Sequence, residues 1–233
     1  MKLIGVLGGM SWPSTILPYR LLNREVESRL GPRHSARIAL YSIDYHAIRT
    51  AYSADWSIIP ALLRGEIETL LSFRPDCWMI ANNTLHKVYD EIAADLPAAP
   101  PLFHAIALVR AELCRLSIGR VLLLGTRFTM EDGYYADPLR RAGIEVATPP
   151  EPERERIGAI LTRLADGAQD PAFADYFERL TTEHAAQGCE AVILACTELP
   201  LVVVQARSAL PIVDPLVLQC RACVGFALGE SDG

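Results

Sequence analysis

Val192-Ile193-Leu194-Ala195-Cys196-Thr197-Glu198 and Trp78-Met79-Ile80-Ala81-Asn82-Asn83-Thr84 read as two copies of one structural phrase. In each, an apolar run of strand length ends in Ala and breaks into small polar side chains where a helix is expected to start. Strands that are apolar at every position, rather than at alternate ones, are those covered on both faces, as in parallel sheets. The copies differ in one respect: Cys196 stands in the second where Asn82 stands in the first. A thiol at the start of a helix is expected to ionise more easily than usual, because the first amides stabilise the thiolate. Cys196 is therefore the first candidate for a reactive group, and Asn82 marks its opposite number.

The duplication extends outward from these loops. Leu7-Gly8-Gly9-Met10-Ser11 follows the first apolar run of the chain, and Leu124-Gly125-Thr126-Arg127-Phe128 follows a later one. Each half then reaches a Pro-led strand ending in a polar group, Pro101-Leu102-Phe103-His104 and Pro211-Ile212-Val213-Asp214. Three matches in one order indicate an internal repeat of roughly 115 residues. Strands are expected at 2–7, 37–43, 77–81, 101–104, 120–124, 144–147, 190–195 and 211–213. Helices are expected at about 13–30, 55–73, 85–95, 105–117, 132–142, 153–166, 171–187, 198–208 and 215–228. This alternation defines an α/β fold of two pseudo-symmetric lobes, each a parallel sheet flanked by helices, with a cleft between them. The expected lobes are 1–100 with 209–233, and 101–208. Ligands of such folds sit beyond the carboxyl ends of the strands. Gly8 to Ser11, including Met10, then Asn82 to Thr84, Thr126 and Cys196 to Glu198 all lie there, and are expected to converge on one pocket.

Composition narrows the function. The 233 residues suffice for one large or two small domains, and although 51% are hydrophobic, no apolar run approaches the roughly 20 residues of a membrane span. Met1 to Leu7 is too short for a secretory leader and runs into a glycine loop, so a cytoplasmic protein without membrane attachment is expected. A net charge of −6 with scattered arginines provides no basic stripe for nucleic acid. The six cysteines read as reduced thiols rather than a disulfide frame. Cys77, Cys114 and Cys189 are expected in the core, and Cys220-x-x-Cys223 lies in a helical pattern without the second ligand pair a metal site needs. Gly5-Val6-Leu7-Gly8-Gly9-Met10 lacks dinucleotide and Walker spacing, and reads instead as a tight turn bringing backbone amides towards a small carboxylate. The only lysines are Lys2, at the wrong end of its strand, and Lys87, a poor Schiff-base candidate, so cofactor-free chemistry is expected.

Gly8-Gly9-Met10-Ser11-Trp12, Asn83-Thr84-Leu85-His86 and Cys196-Thr197-Glu198-Leu199 resemble the motifs of the aspartate/glutamate racemase family, in the same order over nearly the whole chain. The resemblance implies a cofactor-independent isomerase, commonly dimeric, in which two cysteines face the α-carbon from opposite sides: one thiolate removes the proton and the other thiol delivers one. This sequence departs from that pattern at Asn82, where the family has its first cysteine; some members of the Met-Ser-Trp branch carry a hydroxyl residue there. An amide does not ionise usefully near neutral pH, so two-base symmetry is broken.

The resemblance also implies substrate contacts from Asn83, Thr84 and Thr197, which supply donors at helix starts, with Glu198 and His86 tuning the thiol; the alternative for His86 is a helix-start capping role. Arg156 falls near the position of a lysine that holds the distal carboxylate in relatives, and would bind it bidentately; otherwise it belongs to the solvated Glu153-Arg154-Glu155-Arg156 run. His104 and Asp214 end the matching Pro-led strands and are expected near the pocket. The resulting expectation is an amino-acid racemase acting on aspartate or glutamate, with Cys196 as its only cysteine base. The alternatives are a one-cysteine decarboxylase or isomerase of a dicarboxylate, and a catalytically silent binder of amino acids or dicarboxylates.

Overall fold

A computed structural model of the chain describes residues 1–96 and 98–230. In chain order the elements are β1 (Ile4–Gly8), α1 (Trp12–Leu30), β2 (Ile38–Ser42), α2 (His46–Ala54), α3 (Ile59–Ser72), β3 (Cys77–Ile80), α4 (Leu85–Ile92), α5 (Ala105–Arg115), β4 (Arg120–Gly125), α6 (Arg127–Glu131), α7 (Gly133–Arg141), β5 (Glu145–Ala147), α8 (Glu151–Ala165), α9 (Pro171–Ala186), β6 (Ala191–Ala195), β7 (Ile212–Val213) and α10 (Pro215–Leu228). They form two compact units: Met1–Ala105 with the chain from Leu216 onward, and Ile106–Pro215.

The first unit is built on a parallel sheet of order β2-β1-β3. Its strands are apolar throughout because both faces are covered. Ile4, Val6, Cys77 and Met79 point into one cluster with Leu22, Val26 and Val224, whereas Leu7, Trp78 and Ile80 point into another with Ile67, Leu70 and Val88. Burying a Leu or Ile side chain of this kind contributes about 1.5–3 kcal/mol. The second unit has the parallel order β5-β4-β6-β7. Leu122, Leu124, Val192 and Leu194 pack on Ile157, Phe177 and Leu180, and the alternation of β6 carries Cys196 on to this same face.

The repeat is visible in the topology. In each unit the first strand lies between the second and the third, and the Pro-led segment joins the far side of the third. Leu102 bridges Trp78 in the first unit as Ile212 pairs with Val192 in the second. The glycines ending β1 and β4 also match: a Cβ on Gly8 would lie 2.5 Å from the Thr15 methyl, and one on Gly125 would lie 2.8 Å from the Thr129 methyl.

Several local expectations are corrected. The expected helix at 198–208 is only a 3-10 turn, Leu199–Leu201, because Pro200 and the β-branched Val202-Val203-Val204 do not sustain one. The expected strand at 101–104 reduces to the single bridge at Leu102. Helices α2 and α6, which have too few apolar repeats to stand out in the sequence, are additional. The chain passes from one unit to the other at Ala105/Ile106 and Pro215/Leu216; Leu102 joins the first sheet and β7 the second. Cys77, Cys189, Cys220 and Cys223 are buried, but Cys114 is exposed: Ile106, Val109 and Leu113 define the buried face of α5, and Cys114 is off it. No helix of the described residues is long and apolar enough to cross a membrane.

Candidate active site

In the first unit the loops after β1, β2 and β3 leave the sheet at one edge, as the pairings Gly8 with Ser42 and Leu7 with Ile80 require. Gly9 has a φ of 95°, and a Cβ there would lie 2.3 Å from the Ile43 backbone nitrogen, so only glycine fits. Its amide donates to Thr15 Oγ1 at 2.8 Å. That N–H therefore holds the turn together. The carbonyl of Ser11 accepts from the hydroxyls of Ser14 and Thr15, fixing the Met10-Ser11 segment at the start of α1.

Asn82 follows β3 and is tied to the helix beyond it. Its Oδ1 accepts from the Leu85 amide at 2.8 Å, as a helix-capping side chain does, and its carbonyl oxygen lies 2.8 Å from His86 Nδ1. The Ala105 amide donates to His86 Nε2 at 3.2 Å, so that nitrogen is the acceptor and Nδ1 carries the proton given to Asn82. Burial, reinforced by the neighbouring His104 ring, pushes the His86 pKa down to about 3. His86 is thus a neutral peg with a fixed tautomer that holds the Asn82 loop. His104 meets Asp90 at 3.2 Å. Asn83 and Thr84 are buried beside the loop, and among the described residues the Asn83 Oδ1 has no hydrogen-bond partner. A buried amide oxygen in that state is a built acceptor for an N–H group.

In the second unit, Gly125 pairs with Ala195, so Thr126 and Cys196 emerge side by side from β4 and β6. Cys196 is 9% exposed, and its Sγ donates to Glu198 Oε2 at 3.0 Å; the Thr197 hydroxyl donates to the same oxygen at 3.1 Å. Burial first, then the charge and acceptor of Glu198, push the thiol pKa well above its ordinary value, against a smaller opposing effect of the Glu198 and Thr197 amides. The expected easily ionised thiol is therefore corrected: the loop amides are present, but burial and a buried carboxylate outweigh them. A thiol and a carboxylate in contact share a single proton, and the carboxylate is the local acceptor when a thiolate forms.

Thr129 and Tyr134, which anchor the expected Thr126, and separately Tyr135, escaped the reading of the sequence. Thr126 Oγ1, Thr129 Oγ1 and Tyr134 OH form a chain with links of 3.1 and 2.9 Å, which fixes the Thr126 hydroxyl beside the cysteine strand. The Thr126/Thr129 spacing, one helical turn after a strand, was the available signal. Tyr135 is fully buried and its hydroxyl has no partner among the described residues; burial, then Tyr134 and Asp214, push its pKa well above the usual range. Arg156 lies exposed on α8, its guanidinium 4.4 Å from the Tyr176 ring centroid.

A model of the Asp/Glu/hydantoin racemase family matches residues 7–223. The chain belongs to that family, and so to the isomerases. A Yersinia pestis protein described as a candidate Asp/Glu racemase is 36% identical, with a TM-score of 0.85 over 98% of this chain and 100% of that one. An aspartate racemase homologue from Pyrococcus horikoshii is 27% identical, with a TM-score of 0.82 over the same shares of the two chains. The fold also extends to glutamate racemase from Francisella tularensis, solved with D-glutamate, at 16% identity and a TM-score of 0.69 over 98% of this chain and 81% of that one.

Proposed function

We propose that this chain interconverts or exchanges the α-proton of an acidic amino acid, aspartate or glutamate, with Cys196 as its only cysteine base. One observation carries the reading: Cys196 and Glu198 form an acid–base pair, whereas Asn82, where the family's first cysteine would be, is committed to capping α4. In the step proposed, the Cys196 thiol passes its proton to Glu198 and the thiolate takes the α-proton. The C–H bond breaks, an S–H bond forms, and the electron pair stays on the α-carbon and its carboxylate as an enediolate. Asn83, Thr84, Thr126 and Thr197 supply preorganised polar groups for that carboxylate and for the amine, the condition under which so weak a carbon acid reacts. The Asn83 Oδ1, which has no hydrogen-bond partner among the described residues, suits the ammonium, and Met10 and Ser11 are proposed as further substrate contacts.

An L- and D-amino-acid panel in heavy water, followed by NMR and chiral chromatography, tests this directly. Loss of the α-proton signal from aspartate or glutamate is expected; an inert panel would overturn the reading. The fixed, non-ionising Asn82 also suits protonation from a single face, as in a dicarboxylate decarboxylase, and carbon dioxide release measured in the same panel separates that reading from the first.

A further inference from the structure

The first sheet has an open side that the racemisation step does not use. Its order, β2-β1-β3, leaves β2 with no strand of the described residues beyond it. Ile4 donates its amide to the Arg37 carbonyl, and Ile43 donates its amide to the Gly8 carbonyl, so the odd-numbered residues of β2 turn their backbone groups towards β1. Ile38, Leu40 and Ser42 therefore direct their N–H and C=O groups outward. Leu40 and Ser42 are exposed. A row of this kind is a template for pairing with another strand.

An apolar stripe of α1 flanks this edge. Trp12, Ile16, Tyr19 and Asn23 recur at helical spacing, and Asn23 Oδ1 accepts from the Ala36 amide just before β2, which turns the stripe towards that strand. Trp12, Ile16 and Tyr19 are 72%, 53% and 54% exposed, although Leu22 and Val26 of the same helix are fully buried. Leu40 lies on the α1 side of the sheet, since its Cδ1 and the Thr15 methyl both approach the place a Cβ on Gly8 would take. Single apolar residues on a surface need no partner, but large ones ranged beside a row of open backbone groups mark an interaction site. The two ends of β2 also differ in charge: Arg33, His34 and Arg37 are exposed before it, and Asp44 after it.

We propose that β2 pairs antiparallel with β2 of a second copy of this chain, joining two three-stranded sheets into one of six strands. The strand itself favours a second copy as its occupant. Two identical edges close on each other about a two-fold axis, and only the antiparallel pairing then makes every N–H···O bond reciprocal. That arrangement lays the Arg37 end of one strand beside the Asp44 end of its partner, whereas a parallel neighbour would set basic end against basic end. With the axis at Leu40, that residue exchanges both backbone bonds with the partner's Leu40, and Ile38 exchanges both with the partner's Ser42. The stripe of Trp12, Ile16 and Tyr19 flanks the seam in each copy and is withdrawn from water there.

The test follows self-association of the full-length wild type, Leu40→Lys, Leu40→Glu, Ile16→Lys and Leu201→Lys by analytical ultracentrifugation, with circular dichroism to establish folding. The wild type is expected to be a dimer. Leu40→Lys and Leu40→Glu each set like charges opposite one another at the axis, and each is expected to raise the dimer Kd about tenfold or more. An equimolar mixture of these two variants is expected to dimerise again, because the facing charges are then of opposite sign. Ile16→Lys, which leaves the strand intact, is expected to weaken the dimer as well, and Leu201→Lys, exposed in the second unit, to match the wild type. A monomeric wild type would overturn the pairing, and so would a dimer untouched by both Leu40 substitutions or a mixture of the two that stays monomeric. An unchanged Kd in Ile16→Lys would overturn this surface even where a Leu40 variant fails to fold.

Discussion

The Sγ of Cys196 and Oε2 of Glu198 are 3.0 Å apart, with the thiol as donor. Their contact makes the proton of the resting pair internal. With Glu198 present, forming a thiolate moves a proton over one hydrogen bond, so exchange is expected to be nearly flat with pH across the neutral range. In Glu198→Gln the thiol must release its proton to water, and its thiolate fraction rises tenfold per pH unit below its pKa. The expected outcome is slower exchange at pH 7, climbing with pH. A variant with the wild-type profile would count against Glu198 as proton acceptor.

Removing the thiol is a coarser test. Loss of a general base costs about a hundred- to ten-thousandfold in rate, and Cys196→Ala is expected to fall in that range while keeping its circular dichroism spectrum. Near-normal exchange in the folded variant would show that another group takes the proton.

Asn82→Cys probes the duplicated loop. The substitution removes the acceptor that caps the Leu85 amide, at about 1 kcal/mol of stability. It is also expected to raise racemisation in the direction that needs a base at position 82, because His86, which holds the loop carbonyl, is unchanged. Unchanged or lower rates in both directions, in a variant shown to be folded, would contradict a site still arranged for two thiols.

His86 gives a pH signature of its own. Its folded pKa, about 3, lies below the ordinary 6.5, so the unfolded chain takes up a proton that the folded chain refuses. The stabilisation is complete above about pH 6.5 and is lost as pH falls towards 3, at up to about 1.4 kcal/mol per pH unit. Urea unfolding at pH 7 and pH 5 is expected to show a steeper loss in the wild type than in His86→Gln, which would itself be less stable at pH 7. Parallel losses would mean that His86 is not held neutral.

The sheets were legible in the sequence because both faces of β3 and β6 are covered, which leaves no alternation to misread. The cysteine loop was found, but the state of its thiol was not. That depends on the Glu198 carboxylate, just before the 3-10 turn, reaching the thiol and on burial in one cluster with Val192 and Leu194, neither of which local spacing reveals. The role of Asn82 was half visible: its failure to ionise follows from its chemistry, whereas its capping of Leu85 needed coordinates.

The central claim, one base acting from one face, is tested most directly by following deuterium incorporation and chirality together for both enantiomers of the best substrate in heavy water. With Cys196 alone, one enantiomer is expected to gain α-deuterium with retention faster than it inverts, and the other to exchange more slowly by several kcal/mol of barrier, each 1.36 kcal/mol being tenfold in rate. Equal exchange of both enantiomers, with inversion at every exchange event, would contradict the account and require a second base serving the position of Asn82.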